Sequence, residues 1–205
     1  MRRTLAALTL AGLAATGIAL AQMPTEVPGK PDPKLVVAGN YKIEPLHTQI
    51  GFSVVHLGYN PFMGLFSGVS GTLVLDPANP AAAKLDVTIP VDSIYTTVDE
   101  LTKGLKGADW FDTAKYPTAR FVSTAVEVRG TEARISGNLT LHGVTKPITI
   151  QARFVGAGNH PMTKAPAVGF EGRSVIKRSD FGVSNGIPFV TDEVNLTITA
   201  AFDKA

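Results

Sequence analysis

The sequence contains no cysteine among its 205 residues. That absence excludes disulfide bonds, thiolate metal sites, cysteine nucleophiles and a lipid-modified cysteine. A chain of this length without cross-links must take its stability from the packing of apolar side chains. Hydrophobic residues make up 44% of it, which is enough for one sizeable core.

Long apolar runs are confined to the N-terminus. Arg2 and Arg3 precede a mildly apolar run, 5–20, that ends in Ala19-Leu20-Ala21. A basic start, an apolar stretch shorter than the roughly 20 residues of a membrane span and a small-x-small ending predict a signal peptide, 1–21, cleaved near Ala21. We expect a periplasmic or secreted protein, with a retained membrane anchor as the alternative.

An excess of basic charge is also missing once that segment is removed. The chain has 19 basic and 17 acidic residues, and loss of Arg2 and Arg3 leaves 17 of each. No stretch interleaves Lys or Arg with aromatic residues, so we expect no nucleic-acid partner.

Motifs of catalysis and metal binding are absent as well. The sequence has no G-x-S-x-G, H-E-x-x-H, phosphate-loop or dinucleotide-binding pattern. No two of its four histidines have the strand or helix spacing that brings imidazoles to one metal; they are His47, His56, His142 and His160. We therefore predict that the protein is not an enzyme and has neither a metal nor a cofactor.

What the sequence does contain is alternation of apolar and polar residues from position 40 onward. Four prolines within 22–39 predict a flexible or extended lead-in, and the domain then spans 40–205. Period-two alternation is typical of strands with one buried face. Eight strands are predicted, with these inward residues: Ile50, Phe52, Val54, His56; Val69, Gly71, Leu73, Leu75; Leu85, Val87, Ile89, Val91; an irregular, bulged fourth at 120–128; Ala133, Ile135, Gly137, Leu139, Leu141; Ile148, Ile150, Ala152, Phe154; Val168, Phe170, Gly172, Ser174, Ile176; and Val194, Leu196, Ile198, Ala200, Phe202.

Short turns between these segments favour antiparallel neighbours, because a parallel return needs a crossover of a dozen residues or more. Residues 99–106 predict a short helical insertion between the third and fourth strands, which leads into Trp110 and Phe111. The sequence thus predicts an all-β, eight-stranded antiparallel up-and-down barrel, because closure hides the apolar face and removes the sheet edges. A sandwich of two four-stranded sheets is the alternative.

Small residues at inward positions indicate space inside the barrel, since a filled interior would place larger side chains there. They are Gly71, Gly137, Ala152, Gly172, Ser174 and Ala200.

Six ordered blocks of the sequence resemble the YceI-like family. They are Tyr41–Ile43 with Leu46–His56; Phe62–Phe66 with Gly71–Leu73; Ala108–Asp112 with Lys115–Pro117 and Phe121; Gly137–Pro147; Arg178–Gly182; and Asp192–Val194. The resemblance covers about 40–203. It implies a lipocalin-like eight-stranded barrel that is exported to the periplasm and binds polyisoprenoid chains in an elongated apolar pocket. One departure is Gly104, where members of the family often carry a histidine.

Together, the one-sided strands and the resemblance predict binding or transport of a long-chain isoprenoid lipid, of the quinone or prenyl phosphate type. We expect the pocket wall to include Phe52, Val54, Leu73, Val87, Leu139, Ile150, Phe154, Phe170 and Ile198.

Four further residues are candidates at the ends of the pocket. His56 is expected at the barrel mouth against a polar head group, with a structural, hydrogen-bonded histidine as the alternative. Arg178 is expected to pair with a pyrophosphate, or instead with Asp180 or another carboxylate. Trp110 and Phe111 form either a lid over one opening or a cluster under a loop.

Two other functions stay open from the sequence: an enzyme that acts on an isoprenoid lipid, and a packed barrel that works as the surface partner of another envelope protein. Transient contact with a membrane or an envelope protein is compatible with all three. The sequence does not fix the oligomeric state, and a homodimer is one option.

Overall fold

The computed structural model describes residues 26–205, and the predicted signal peptide, 1–21, lies outside the described residues. Strands dominate this part of the chain. They are β1 (Gly39–Ile43), β2 (Gln49–His56), β3 (Asn60–Phe66), β4 (Ser70–Leu75), β5 (Lys84–Pro90), β6 (Tyr95–Thr96), β7 (Thr118–Arg129), β8 (Glu132–Leu141), β9 (Val144–Asn159), β10 (Pro166–Lys177) and β11 (Glu193–Lys204). One α-helix, α1, spans Asp99–Leu105.

Every strand pairing is antiparallel, and the sheet closes on itself. The order around the barrel is β1-β4-β5-β7-β8-β9-β10-β11, and β11 pairs back to β1. This closed eight-stranded barrel confirms the predicted fold and excludes the two-sheet sandwich. Helix α1 lies between β6 and β7, which confirms the helical insertion after the third predicted strand.

At three of the eight strand positions around the barrel, two successive strands lie end to end and share the position. Strand β11 pairs with β2 through Asn195–Thr199 and with β1 through Phe202–Lys204. Between β1 and β2, the Thr48 side chain takes the place of a ladder rung: its hydroxyl oxygen accepts from the Ala201 N–H at 3.0 Å. Strands β3 with β4 and β5 with β6 continue one another in the same way, which adds three strands without changing the barrel's count.

The two ends of the barrel differ. The end that carries the β2–β3 turn, α1 and the long β10–β11 connection is called the capped end here, and the end that carries the β4–β5 loop and the β7–β8 turn is called the cavity end. The predicted bulge in the fourth strand is present on β7, where the register with β8 shifts between Ser123 and Ala125. Among the residues described, no helix is both long and apolar enough to cross a membrane.

The structure describes the predicted lead-in from residue 26 onward. Part of 22–39 packs on the barrel: Lys30 forms a bridge with Ala157, and Pro33–Leu35 forms a 3₁₀ turn. Strand β1 already begins at Gly39. The prolines of the described part of this segment, Pro28, Pro31 and Pro33, do not prevent the packing, because the segment joins the barrel through one pair of backbone hydrogen bonds rather than through a continuous ladder.

Candidate functional site

An apolar cavity of about 330 Å³ occupies the barrel interior toward the cavity end. Every barrel strand except β1 contributes to its wall. The wall residues on strands are Leu73, Leu75, Leu85, Val126, Val128, Glu132, Ala133, Ile135, Ile150, Ala152, Phe154, Phe170, Glu171, Gly172, Ile198, Ala200 and Phe202. Residues outside the strands complete the rim: Pro33, Val36, Pro77, Pro80, Ala83, Gly130 and Thr131.

Small residues on three neighbouring strands hold this space open. Ala152 on β9, Gly172 on β10 and Ala200 on β11 all line the cavity. A Cβ on Gly172 would stand 3.0 Å from Ile150 Cγ2 on the neighbouring strand β9, so even one added methyl group would crowd the cavity wall. Around them, the ring centroids of Phe154 and Phe170 lie 5.9 Å apart, and those of Phe170 and Phe202 lie 6.1 Å apart. Edge-to-face contacts of this kind stabilise the wall.

The other small inward residues serve packing rather than open space. The Phe121 ring and the backbone of Val122 lie where a Cβ of Gly137 would stand. Gly71 approaches the β5 backbone at Asp86 in the same way, and its φ of 153° belongs to glycine. Ser174 is buried and donates its hydroxyl to the Thr149 carbonyl at 2.8 Å. The predicted link between small residues and free volume therefore holds for Ala152, Gly172 and Ala200 only.

The rim of the cavity carries acidic but no basic residues. Of the described lining residues, Glu132 and Glu171 are the ionisable ones. Arg153, paired in register with both, donates from Nη2 to Glu171 Oε2 at 2.8 Å on the half-exposed outer surface. A surface pair of this kind contributes about 0–1 kcal/mol. The cavity thus presents hydrocarbon inside, and the negative charge at its edge comes from Glu132, since Glu171 is paired with Arg153 on the outer surface.

The capped end is filled by protein side chains. The Phe66 ring centroid lies 5.6 Å from that of Phe52 and 5.8 Å from that of Phe111, in an aromatic row. Next to them, Val87, Phe121 and Leu139 are buried core residues. The barrel is therefore a cup, packed at one end and hollow toward the other.

The predicted wall residues divide between these two regions. Leu73, Ile150, Phe154, Phe170 and Ile198 line the cavity. Phe52, Val54, Val87 and Leu139 belong to the packed core around it, as does Phe111, which was predicted as a lid or a cluster under a loop. His56 lies exposed at the end of β2, where its backbone bridges Val190 at the capped end and not at the cavity rim. Contact of each with a ligand stays a prediction.

Several lining residues were missing from the predicted set. Leu75, Leu85, Ile135 and Phe202 lie on predicted inward faces, so their alternation carried the signal. Pro33 and Val36 come from the lead-in, where no periodicity indicated contact with the barrel.

Arg178 organises the connection between β10 and β11. The residue is 6% exposed, and its guanidinium donates to the backbone carbonyls of Val183, Asn185, Val190 and Thr191 at 2.7–2.9 Å. It also lies over the Trp110 ring, 5.5 Å from the centroid. Four of its five N–H groups are thus engaged, and desolvation lowers the pKa of Arg178. The structure places Arg178 and Trp110 together at the capped end, with neither in the cavity lining.

Asp192 fixes the start of the same connection. Its carboxylate accepts from the Ser179 backbone N–H at 2.8 Å and from the Ser179 hydroxyl at 2.7 Å. The hydrogen bond from the Ser179 side chain lowers the pKa of Asp192, and the positive charge of Arg178 acts in the same direction. Arg178, Ser179 and Asp192, called the clasp here, therefore hold the β10–β11 connection together through hydrogen bonds.

A second, polar cleft opens where β9 and β10 separate. Their pairing ends at Gln151 and Arg173, and the cleft beyond it has a volume of about 660 Å³. Its lining includes the charged residues Lys146, Lys177, Asp180 and Glu193. Within 26–205, no group of three or more His, Asp or Glu side chains is arranged to hold a metal ion.

Comparison with known proteins agrees with this architecture. The family model of the YceI-like domain matches residues 41–202. Protein YceI of Escherichia coli O6:H1 is 43% identical over 165 residues, which cover 80% of this chain and 86% of that protein. Protein YceI of Salmonella arizonae is 41% identical over 165 residues, which again cover 80% of this chain and 86% of that protein.

Solved structures show the same barrel. The crystal structure of Burkholderia cenocepacia BcnA has a TM-score of 0.70 and 27% identity, covering 78% of this chain and 98% of that one. A polyisoprenoid-binding domain from Saccharophagus degradans has a TM-score of 0.60 and 16% identity, covering 82% and 100%, and shows the fold alone. With the family model matched over nearly the whole described barrel, the chain belongs to the YceI-like family.

Proposed function

We propose that this protein binds a long-chain isoprenoid lipid in the barrel cavity and carries it in the bacterial cell envelope, after export and removal of the signal peptide. The observation that carries the proposal is the hollow at the cavity end, walled by aliphatic and aromatic side chains from all barrel strands but one. A domain of the same fold from S. degradans is described as polyisoprenoid-binding, which supports the same ligand class here.

The energetics favour a hydrocarbon chain as the occupant. Burial contributes about 0.8 kcal/mol per CH₂ group, so each isoprene unit adds roughly 3–4 kcal/mol before ordering costs. Retention then needs no covalent bond and no charged anchor in the cavity.

The acidic rim supports a neutral head group within the quinone or prenyl phosphate class. A phosphate at the rim would meet the carboxylate of Glu132, and the described lining offers no Lys, Arg or His to offset its charge. Like charges at close range raise the free energy of binding. We therefore propose a quinone or a polyprenol as the ligand in preference to a prenyl phosphate.

Two alternatives have less support. An enzyme acting on the lipid needs a nucleophile or an acid–base pair beside the bound chain, whereas the hydroxyl and carboxyl groups of the described lining, on Thr131, Glu132 and Glu171, belong to the rim, and that of Glu171 is paired with Arg153. A solid barrel that works through its surface alone does not need the observed hollow.

The test is extraction and reloading. The purified mature protein is extracted with organic solvent for mass spectrometry, and the delipidated protein is titrated with the C45 polyprenol solanesol. An isoprenoid in the extract and saturable one-to-one binding are expected. Absence of lipid together with absence of saturable binding contradicts the proposal.

A matched pair of variants locates the lipid. Ala152→Phe fills the cavity, whereas Gln151→Phe adds the same ring to the exposed outer face of β9. We expect the first to lower solanesol affinity at least tenfold and the second to leave it unchanged. Equal affinity of both variants contradicts the cavity as the site.

A further inference from the structure

The segment Pro28–Val36, called the strap here, lies before the family domain, whose match begins at Tyr41. It is part of the cavity nonetheless, because Pro33 and Val36 contribute to the lining. This part of the cavity lining therefore lies outside the residues that match the family model.

The strap is attached to an edge that the barrel leaves free. Strand β8 begins at Glu132, opposite Arg153 on β9, so β9 continues beyond its neighbour up to Asn159. Lys30 occupies the exposed edge: its N–H donates to the Ala157 carbonyl, and the Ala157 N–H donates to the Lys30 carbonyl, both at 2.9 Å. This reciprocal pair is one rung of an antiparallel ladder.

Two glycines of β9 allow the strap to come this close. A Cβ on Gly156 would stand 3.1 Å from the Lys30 carbonyl oxygen, and a Cβ on Gly158 would overlap the Pro28 carbonyl oxygen. Neither glycine has a positive φ, so the backbone of β9 does not require glycine at these positions. The missing side chains serve the approach of the strap.

From this rung the strap crosses the cavity end to reach β1. Around the barrel, β9 and β1 are separated by β10 and β11 on one side and by β8, β7, β5 and β4 on the other. The direct path between them therefore crosses the opening. Asp32 caps the 3₁₀ turn at the crossing by accepting from the Lys34 N–H at 2.9 Å. The hydroxyl of fully buried Tyr41 donates to the Val37 carbonyl and fixes the far side.

We propose that the strap is a retaining element of the binding site: it closes the cavity end over the hydrocarbon chain, and the lipid leaves when the Lys30–Ala157 rung opens. The inference rests on the proposed function, because it takes the cavity as the lipid site. One rung holds the β9 side of the strap, whereas Tyr41 and β1 hold the other side, so the strap opens as a flap hinged near Val37. Pro33 and Val36 then act as ligand-contacting residues that determine how long a lipid is retained.

A pair of glycine variants tests the strap. Gly158→Ala places a methyl group against the Pro28 carbonyl and releases the strap, while Gly169→Ala, in register with Gly156 on β10, has 3.9 Å to its nearest neighbour. Protein loaded with solanesol is mixed with an excess of phosphatidylcholine vesicles, and release is followed together with hydrogen exchange of the Lys30 and Ala157 amides. We expect at least tenfold faster release and faster amide exchange for Gly158→Ala, and no change for Gly169→Ala.

A reversible cross-link tests the same point in the opposite direction. The chain has no cysteine, so the double variant Lys30→Cys/Ala157→Cys contains one thiol pair. Residues that share a reciprocal rung have Cα atoms about 5.5 Å apart, within the range of a disulfide. Oxidation is expected to slow solanesol release at least tenfold, and reduction is expected to restore the original rate.

The outcomes separate the two proposals. If wild-type protein binds no solanesol, the proposed function and the strap's role both fall. If solanesol binds but the oxidised cross-linked protein releases it at the rate of the reduced form, the strap inference alone is overturned. The strap inference is also overturned, and the proposed function kept, if Gly158→Ala exchanges the Lys30 and Ala157 amides faster but releases solanesol at the wild-type rate.

Discussion

The rings of Phe154 and Phe170 meet edge to face across β9 and β10, with centroids 5.9 Å apart. Both line the cavity, and Phe170 also meets Phe202 on β11. One ring therefore joins three strands of the wall at the place where the barrel has little other packing in its interior.

Truncation of that ring tests its part in stability. Phe170→Ala removes both aromatic contacts and enlarges a space that is already open, and we expect a loss of about 2–4 kcal/mol in the free energy of unfolding. Urea denaturation measures it. Val175→Ala, on an exposed residue of the same strand, is the control and should change stability by less than about 0.5 kcal/mol. Equal losses in the two variants contradict the role of the aromatic row.

The fold follows from the sequence wherever one face of a strand is apolar. Regular alternation located eight wall positions, but it did not reveal β1, β3 or β6. In β3, Pro61 and Gly64 interrupt the pattern within Asn60–Phe66. The Phe52 ring fills the space that a Cβ at Gly64 would take, so this glycine is required for packing. The need for glycine at this position comes from a side chain of the neighbouring strand, so it leaves no periodic signal along the chain.

The candidate site was predictable only in part for the same physical reason. Ala152 and Gly137 are both small and both face inward, yet one lines the cavity and the other accommodates the Phe121 ring. Alternation gives the direction of a side chain but not the distance to the opposite wall. Nor does it report an aperiodic segment such as the strap, which is held by single hydrogen bonds.

The acidic rim predicts discrimination between head groups. Glu132→Gln removes one negative charge at the edge of the cavity, and we expect two- to fivefold tighter binding of a polyprenyl phosphate, corresponding to about 0.4–1 kcal/mol for a largely exposed charge. Affinity for the uncharged polyprenol should not change. Glu127→Gln, on an exposed residue of β7 outside the lining, is the control. Titration of both lipids with each variant decides, and a parallel gain for both lipids with Glu132→Gln excludes a charge effect.

The Arg178 clasp predicts a defect in stability rather than in lipid contact. Arg178→Lys keeps the charge but cannot reach four carbonyls with one ammonium group, so buried acceptors on the β10–β11 connection lose their donors. We expect a loss of about 2–4 kcal/mol in the free energy of unfolding. Trp110, the single tryptophan, lies against Arg178, so its fluorescence reports the local change.

Arg173→Lys, on an exposed residue of β10, serves as the control for Arg178→Lys. It should leave both stability and the tryptophan spectrum unchanged. If Arg178→Lys leaves unfolding unchanged but abolishes solanesol binding, the residue contacts ligand instead, contrary to the clasp.

Asp192 predicts how the clasp responds to pH. Its pKa in the folded protein lies below the usual 3.8, chiefly because the Ser179 hydroxyl donates to the carboxylate. A lowered pKa means that the folded state favours the charged form of the carboxyl group. Its contribution to the free energy of unfolding is therefore complete above about pH 5 and is lost as the pH falls through the folded-state pKa. Asp192→Asn should cost about 1–2 kcal/mol at pH 7, because the amide offers one acceptor oxygen where the carboxylate offers two. Urea unfolding at pH 7 and at pH 3 should show this difference shrinking at the lower pH, and Ser179→Ala should reduce it at pH 7. A difference that stays constant between the two pH values would mean that the carboxylate charge does not hold the clasp.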